Sequence, residues 1–430
     1  MEPDRCSSVC RAMEKRTRKT SVDIKWRRRA GFFASKAVGR IAIAIPARDE
    51  AERIGDCLAS LADQREALGD SPISEPFCVV VFLNGCYDCS FDIAAQMAPL
   101  LPYPLRIFDG DLPPNLNHAG GARHVAMALA ADWIEEAGGG SGYILTTDAD
   151  SRASPTWIAD TMAAFSRGVD AVAGRIELDS ADEAALSAAL RARGVLEEKY
   201  ETLLTELFAR LDPRPHDPWP RHASEPGASL TLTLAAYRRI GGLPIVEFGE
   251  DRALVAALEN ADLKLRHDPA VNVVTSGRLI GRARGGVADA LTFRSENPQA
   301  ECDPYLEPAA QALRRAMWRG RLRGLSERGA VSDVSVWARQ LRICSSRASS
   351  IARETSFGAL WRFIEAQSPL LRRRGLKPRN LPLQIALAQL ILLALRGAPI
   401  KRRVEHRDDI PASAPLEGRS QNSRLPAETR

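Results

Sequence analysis

Two aspartates, Asp148 and Asp150, directly follow a short apolar segment and are separated by one residue. Side chains at positions i and i+2 of an extended chain point the same way, so these two carboxylates can converge on one point. Paired carboxylate oxygens suit a hard divalent cation that also binds phosphate. The spacing therefore predicts a metal–diphosphate site. The alternative is an ordinary strand-to-helix turn, in which aspartate is common.

Strand-like apolar segments alternate with helix-like segments through the first half of the chain. The strand-like segments that end in polar residues are 41–45, 77–83 and 143–147. This alternation predicts an α/β fold with a mostly parallel sheet, covered by helices on both faces. Ligands of such sheets bind beyond the carboxyl ends of the strands. We therefore expect residues 46–50, Asn84 and the aspartate pair to meet at one edge of the sheet.

The distribution of charge and periodicity divides the chain into four parts. Residues 1–38 are charged and lack sustained periodicity, which predicts a flexible basic arm. Residues 39–300 carry the α/β pattern, and residues 301–404 have the pattern of a helical extension. Residues 405–430 are expected to form a disordered tail. The tryptophans expected to pack between helices of the extension are Trp318, Trp337 and Trp361.

Composition argues against several classes of protein. The 430 residues carry a net charge of only +5, which is too small to indicate nucleic-acid binding. Cys86 and Cys89 have the CxxC spacing of zinc and redox sites, but no second CxxC completes a zinc tetrad. Loop thiols in a reducing compartment are therefore favoured over a metal or redox site.

The termini and the apolar segments bear on a membrane location. No signal peptide is recognisable, and the longest apolar segment, residues 381–395, is shorter than the ~20 residues that span a bilayer. This segment predicts a packed helix. A membrane-surface helix is the alternative, because basic clusters at 372–374 and 401–403 flank it. We expect a cytoplasmic protein, with a peripheral position on the inner face of the membrane as the alternative.

Six short segments, taken together, resemble the motifs of family 2 glycosyltransferases with the GT-A fold. They occur in the family's order at residues 45–52, 84–88, 117–123, 148–150, 227–242 and 249–251. Each segment is weak alone, but six in order over residues 41–294 are specific. In this resemblance Asp148-Ala149-Asp150 is the DxD motif, and Gly249-Glu250-Asp251 is similar to the acidic catalytic motif.

The resemblance implies an enzyme that transfers a single sugar from a nucleotide-diphosphate sugar to an acceptor hydroxyl, with inversion. Asp150 would hold Mg²⁺ or Mn²⁺, and Asp148 would share the metal or contact the ribose. The implied donor-binding residues are Pro46, Arg48, Glu50, Asn84, Arg123 and Asp148. Asp251 would be the general base, with Glu250 second, although both could simply cap the helix that follows. Arg278 and Arg282 could donate to the diphosphate or form an exposed basic loop.

Two departures from the family pattern affect these expectations. Asn84 stands where relatives often have aspartate, and no Gln-x-x-Arg-Trp motif follows Asp251, which argues against a processive synthase. The acceptor is unknown and could be lipid-linked, since the basic C-terminal helices could contact a membrane or form a homodimer. The alternative functions are a nucleotidyltransferase and a non-catalytic membrane-surface module. The loop after the first strand lacks the glycines of the nucleotidyltransferases.

Overall fold

A nine-stranded mixed sheet forms the centre of the described part of the chain. The structure is a computed structural model that describes residues 24–33, 39–138, 140–281, 286–354 and 356–397. The strands are β1 (Lys25–Phe33), β2 (Ile41–Ala47), β3 (Phe77–Asn84), β4 (Leu105–Asp111), β5 (Tyr143–Thr146), β6 (Arg152–Ala153), β7 (Ala171–Leu178), β8 (Leu230–Thr233) and β9 (Leu265–Thr275). Their order in the sheet is β1-β4-β3-β2-β5-β8-β7-β9-β6.

Helices cover both faces of this sheet and continue beyond it as a C-terminal extension. The helices are α1 (Ile54–Ala62), α2 (Ser90–Met97), α3 (Ala119–Glu136), α4 (Trp157–Phe165), α5 (Ser180–Ala185), α6 (Ala188–Leu211), α7 (Leu234–Arg239), α8 (Glu250–Asn260), α9 (Val287–Glu296), α10 (Ala309–Glu327), α11 (Ser345–Glu354), α12 (Phe357–Gln367) and α13 (Leu381–Gly397).

The four central strands β4, β3, β2 and β5 run parallel to one another. Strands β1 and β8 pair antiparallel at either side of them, and β7 pairs parallel with β9. All eight residues of β3 are buried, as expected for a strand that helices cover on both faces. The predicted α/β class, with a mostly parallel sheet and a helical C-terminal region, is confirmed.

The side chains of strand β2 alternate between the two hydrophobic cores, one on each face of the sheet. Its alanines, Ala42 and Ala44, face the core that contains α3, and the small side chains let this long helix approach the sheet. Its isoleucines point the other way, into the core that contains Leu58 of α1 and Ile158 of α4. The alternation follows from the two-residue period of a strand. Strand β2 is thereby held rigidly at the centre of the sheet.

Strand β1 corrects the predicted arm. Lys25–Phe33 pair antiparallel with β4, with an irregular register between Trp26 and Ala30. The Trp26 ring lies 6.1 Å from that of Phe82 and 6.0 Å from that of Phe108, so one large aromatic side chain anchors a strand rich in arginine. Residues 1–23 and 34–38 of the predicted arm lie outside the described residues, as does the predicted tail, 405–430.

The C-terminal helices pack through two further clusters. Trp337 and Trp361 are buried in one of them, and Trp318 packs against it, which confirms their predicted role as packing residues. Helix α13 packs on α6 and α10 through the other cluster. Pro378–Arg396, which includes most of α13, is long and apolar enough to cross a membrane by length and composition, and 22% of it is buried. This corrects the expectation that no segment reaches that length, but it is weak evidence for a span.

Candidate active site

The loops that follow β2 and β3 are tied to each other at the carboxyl edge of the sheet. The Asp49 carboxylate accepts a hydrogen bond from the Tyr87 N–H at 2.7 Å, and Asp88 accepts one from the Ala51 N–H at 2.9 Å. Asp49 adopts a positive φ of 51°, which aspartate tolerates better than most residues. Strand β5 lies beside β2 in parallel register, so the segment that follows it emerges at the same edge.

The segment after β5 forms a tight turn that carries Asp148 and Asp150. The Asp148 carbonyl accepts a hydrogen bond from the Ser151 N–H at 3.1 Å, and the buried Cys57 thiol lies 3.4 Å from the same oxygen. The Ser151 hydroxyl donates to Thr275 at 2.9 Å, which ties the turn to the end of β9. Backbone and neighbouring groups therefore hold the turn without using the two carboxylates, each of which is paired with an arginine.

Arg278 bridges the first and third loops of this edge. Its guanidinium donates two hydrogen bonds to the buried Glu50 carboxylate, at 2.9 and 2.6 Å, and lies 3.0 Å from an Asp150 oxygen. The hydrogen bonds to Glu50 and the charge of Asp150 raise the pKa of Arg278 against the effect of burial. One cation is therefore shared by two carboxylates that come from different strand ends.

The Asp182 carboxylate anchors the loop that carries Arg278. This carboxylate accepts hydrogen bonds from the Gly277 N–H at 2.9 Å and the Ser276 hydroxyl at 3.1 Å, and it pairs with Arg53 at 3.0 Å. A Cβ on Gly277 would lie 3.0 Å from the Asp182 Cβ, so a larger residue would push against this carboxylate side chain. The anchoring directs Arg278 toward Glu50. The companion residue Arg282 lies outside the described residues.

Asp150 titrates unusually for an aspartate. Burial raises its pKa to about 7, the neighbouring Asp148 charge adds to the rise, and Arg278 opposes it. Because ionisation of Asp150 is unfavourable in this buried position, additional positive charge nearby would stabilise the ionised carboxylate. The guanidinium of Arg278 supplies one such charge, 3.0 Å from an Asp150 oxygen.

Arg123, on α3, is buried and joins the DxD turn to the start of α8. Its guanidinium donates to Asp148 at 2.7 Å, to Glu250 at 3.3 Å and to the Gly227 carbonyl at 2.9 Å. It also donates to the Thr146 hydroxyl at 3.0 Å. Burial lowers the pKa of Arg123, but Asp148 and Glu250 outweigh it and raise that pKa overall.

Two glycines make room for this arrangement. A Cβ at Gly227 would lie 2.8 Å from an Arg123 nitrogen, and one at Gly120 would lie 3.0 Å from the Glu250 Cβ and 3.1 Å from the Val246 carbonyl oxygen. Both glycines belong to the segments that matched family motifs in the sequence. Their physical role is to let the Arg123 side chain and the start of α8 approach the sheet.

The other predicted donor-binding residues divide into two groups. Pro46 and Arg48 are half-buried at the end of β2, and the Arg48 guanidinium donates to the Asn117 side chain at 3.2 Å. Asn84 is only 2% exposed. Its side-chain N–H donates to the Asn117 side-chain oxygen at 3.1 Å, and its side-chain oxygen accepts a hydrogen bond from the Leu112 N–H at 3.3 Å. Asn84 and Arg123 therefore lie beneath the site. Their contact with the donor stays a prediction.

The two acidic residues at the start of α8 have different surroundings. Gly249 precedes the helix with a φ of +69°, and Glu250 points back to Arg123. Asp251 accepts a hydrogen bond from the Arg252 N–H at 2.7 Å through one oxygen. Among the described residues, no hydrogen bond occupies its other oxygen. Burial raises the pKa of Asp251, and the Glu250 charge adds to the rise while the Arg252 N–H opposes it.

The CxxC pair does not have the environment of a reactive thiol. Cys86 is buried and Cys89 exposed, and both are free. Ligand-capable atoms of Cys86, Asp49 and Asp88 lie within 4.8 Å of one another, but the Cys86 sulfur accepts the Asp49 N–H at 3.3 Å. Burial raises the pKa of the Cys86 thiol to about 12, so it stays protonated near neutral pH. The interpretation as loop thiols is favoured.

Substitution of Arg123 by glutamine is expected to destabilise the protein by about 3 kcal/mol, because Asp148 and Glu250 would lose their buried cation. Urea unfolding followed by tryptophan fluorescence measures this change. The matched control is Arg65→Gln, which removes a surface arginine that pairs with Asp63 at 2.9 Å, and its cost should be much smaller because surface ion pairs contribute little. Equal losses in the two variants would contradict the buried role of Arg123.

Comparison with known proteins finds similarity to glycosyltransferases in sequence and in structure. Residues 42–217 match the model of Glycosyl transferase family 2. The structure is similar to that of S. aureus TarS 1-349 in complex with UDP-GlcNAc, with 15% identity, coverage of 83% of this chain and 91% of that one, and a TM-score of 0.41. It is also similar to the mannosyltransferase PcManGT from Pyrobaculum calidifontis in complex with GDP-Man and Mn²⁺, with 14% identity, 83% and 94% coverage, and a TM-score of 0.37.

A third similar structure is glucosyl-3-phosphoglycerate synthase from Mycobacterium tuberculosis in complex with phosphoglyceric acid, with 15% identity, 64% and 84% coverage, and a TM-score of 0.31. Similarities at this level support no statement about the substrates of the present chain. No curated protein matches it.

Proposed function

We propose that this chain, a glycosyltransferase whose residues 42–217 match family 2 within a GT-A α/β fold, transfers one sugar to an acceptor hydroxyl with inversion. The donor is a nucleotide-diphosphate sugar. The observation that carries the proposal is the convergence of Asp148, Asp150, Glu50 and Arg278 at the carboxyl edge of the sheet. The same family match disfavours both alternatives, the nucleotidyltransferase and the non-catalytic module.

A divalent cation, Mg²⁺ or Mn²⁺, fits the DxD turn. Asp150 and Asp148 offer the hard oxygen ligands that both ions prefer. The Arg278 guanidinium, 3.0 Å from Asp150, occupies a position where positive charge is stabilised. When bound, the cation supplies Lewis-acid stabilisation of the negative charge that develops on the leaving diphosphate.

Arg278 is proposed to contribute to the same stabilisation from the protein side. Its planar guanidinium suits bidentate contact with phosphate oxygens, as it now suits the Glu50 carboxylate. If a bound cation satisfies Asp150, one of the two carboxylates that hold Arg278 no longer requires it. Arg278 would then be able to donate to a phosphate oxygen of the donor.

Asp251 is proposed as the general base. As the acceptor oxygen forms its bond to the anomeric carbon, the bond from that carbon to the diphosphate oxygen breaks, and the acceptor proton passes to Asp251. Attack opposite to the leaving group inverts the anomeric centre. Burial brings the pKa of Asp251 closer to neutral pH, which makes the carboxylate a better proton acceptor. Glu250 is less suited, since Arg123 holds it.

A donor screen tests the proposed function. The purified full chain is incubated with a panel of nucleotide-diphosphate sugars and Mn²⁺, and release of the nucleoside diphosphate is measured. We expect slow hydrolysis of one donor that stops when the metal is chelated. Calorimetry with nucleoside diphosphates, with and without Mn²⁺, provides an independent readout. The absence of both hydrolysis and binding would overturn the transferase proposal and favour the non-catalytic module.

The acceptor and the location of the protein are also matters of proposal. We propose an acceptor hydroxyl on a lipid-linked molecule, and a cytoplasmic protein that works at the inner face of the membrane. The support is the exposed apolar face of α13, where Leu383, Leu390 and Leu393 are each more than 60% exposed. No role in nucleic-acid binding is proposed, in keeping with the small net charge.

A further inference from the structure

Helix α13 is apolar on two opposite faces. Its inner face packs against α6 and α10 through Leu381, Ile385, Ala388 and Leu392, which are all buried. The outer face consists of leucines that remain exposed to solvent among the described residues. These are Leu383 at 63%, Leu387 at 38%, Leu390 at 63% and Leu393 at 66% exposure. We refer to these four leucines as the outer face.

The outer face is a continuous stripe. Its leucines are spaced by four, three and three residues, which places them on one side of a helix. The exposed alanines Ala386 and Ala394 extend the same side, and the stripe runs for about 15 Å along the axis. Contiguous exposed apolar surface of this kind marks a contact with another protein or with a membrane.

The chain around α13 is uniformly basic. Between Glu365 and Glu405 the sequence contains nine lysines and arginines and no acidic residue. In the described part of this segment, Arg372, Arg374, Lys377 and Arg379 are exposed just before the helix. The net charge of the whole chain is only +5, so the positive charge of this segment reflects local placement of basic residues. An apolar stripe beside basic residues is complementary to an anionic membrane surface.

We propose that the outer face of α13 docks on an anionic lipid bilayer, with the helix parallel to the membrane plane and the basic residues at the lipid headgroups. A spanning orientation conflicts with the inner face, which is packed on α6 and α10. A two-fold interface uses the same surface of both copies. A dimer through the outer face would therefore bring the two basic segments, which carry like charge, close together. This proposal concerns attachment and does not depend on the sugar-transfer reaction.

Vesicle co-sedimentation tests the proposal on the full chain. Vesicles of phosphatidylglycerol and phosphatidylcholine in equal parts are compared with vesicles of phosphatidylcholine alone. We expect the protein to pellet with the anionic vesicles, at least about tenfold more than with the neutral ones, and to be released as salt screens the charges. The double variant Leu387→Glu/Leu390→Glu should lose binding at least about tenfold, because its charges would enter the headgroup boundary.

Matched controls separate docking from loss of folding. Leu68→Glu and Leu100→Glu each place the same charge at a leucine that is 94% or 83% exposed elsewhere, and both should pellet as the parent does. Arg372→Gln/Arg374→Gln should weaken binding to anionic vesicles, whereas Arg328→Gln, at an exposed arginine in another segment, should not. Circular dichroism confirms that each variant is folded.

Three results would overturn the proposal. The first is absence of co-sedimentation with anionic vesicles. The second is equal binding to neutral vesicles, which would remove the role of the basic segment. The third is a dimer in sedimentation velocity that Leu387→Glu/Leu390→Glu converts to a monomer without any vesicle binding, which would assign the outer face to a second copy. A bound fraction unchanged in the double variant would also exclude α13 as the docking element.

Discussion

Replacement of Asp150 by asparagine is expected to lower the rate of sugar transfer on the order of 10³-fold, since several kcal/mol of leaving-group stabilisation depend on this carboxylate. Asparagine keeps the size of the side chain but removes the negative charge. Metal-dependent binding of a nucleoside diphosphate should be lost with the activity. Initial rates with the identified donor and calorimetry with Mn²⁺ provide the two measurements.

The same substitution should make the apoprotein more stable. Burial raises the pKa of Asp150 from 3.8 to about 7, so between these values the native state holds a proton that the unfolded chain has released. The contribution of Asp150 to the free energy of unfolding therefore falls as pH rises from about 4 to about 7, and it stays low at higher pH. An asparagine side chain does not titrate, so Asp150→Asn should gain on the order of 1–3 kcal/mol over the parent at pH 8.

The opposite signs of the two effects make this test specific. Substitution of a residue with a purely structural role would lower the activity of the enzyme because it lowers its stability. Asp150→Asn should instead lower the activity and raise the stability. Asp63→Asn is the control, because Asp63 is an exposed aspartate that pairs only with the surface residue Arg65 among its described contacts. It should change neither quantity appreciably. Retention of metal-dependent donor binding by Asp150→Asn would contradict its assignment as a metal ligand.

The sheet could be predicted because its central strands are recognisable from short stretches of sequence. Strands β2 and β3 are uninterrupted apolar segments, and the parallel connection brings their polar ends to one edge. Strand β1 was missed because arginines interrupt its pattern, while the Trp26 ring packs near those of Phe82 and Phe108. The signal available in the sequence was an isolated tryptophan in a charged segment.

The bridges within the site could not be read from the sequence, because they join residues that are far apart along the chain. Arg278 and Glu50 are separated by 228 positions, and Arg123 and Glu250 by 127. Sequence spacing can place two carboxylates on one turn, but it cannot show which arginine reaches them. Gly120 and Gly227 were the indirect signal, since glycine is favoured where another group comes close to the backbone.

Asp150 and Asp251 also differ in what their positions allowed us to predict. The DxD spacing alone was enough to suggest paired carboxylates. The preference for Asp251 over Glu250 came from the resemblance to the family motif, and the sequence could not show that Arg123 holds Glu250 in a partly buried ion pair. That ion pair ties Glu250 to Arg123 at the start of α8, and the proton transfer by Asp251 stays a prediction.

Replacement of Asp251 by asparagine is expected to lower turnover by a factor on the order of 10² or more, because the acceptor hydroxyl would lose its proton acceptor. Donor binding should survive, since among the described residues no hydrogen bond or ion pair joins Asp251 to the DxD turn. Steady-state rates at saturating donor and acceptor measure the first effect. Calorimetry with the donor nucleotide and Mn²⁺ measures the second, and the two together separate chemistry from binding.

The competing explanation is that Asp251 only stabilises the N-terminus of α8. A first-turn carboxylate contributes roughly 0.3–1 kcal/mol in that role, so its loss would affect stability slightly and turnover little. Asp160, in the first turn of α4, provides the matched control, and Asp160→Asn should show only that small stability effect. Glu250→Gln should mainly destabilise the protein, because Arg123 loses a partner. If Asp251→Asn behaves like Asp160→Asn and keeps full turnover, the general base lies elsewhere.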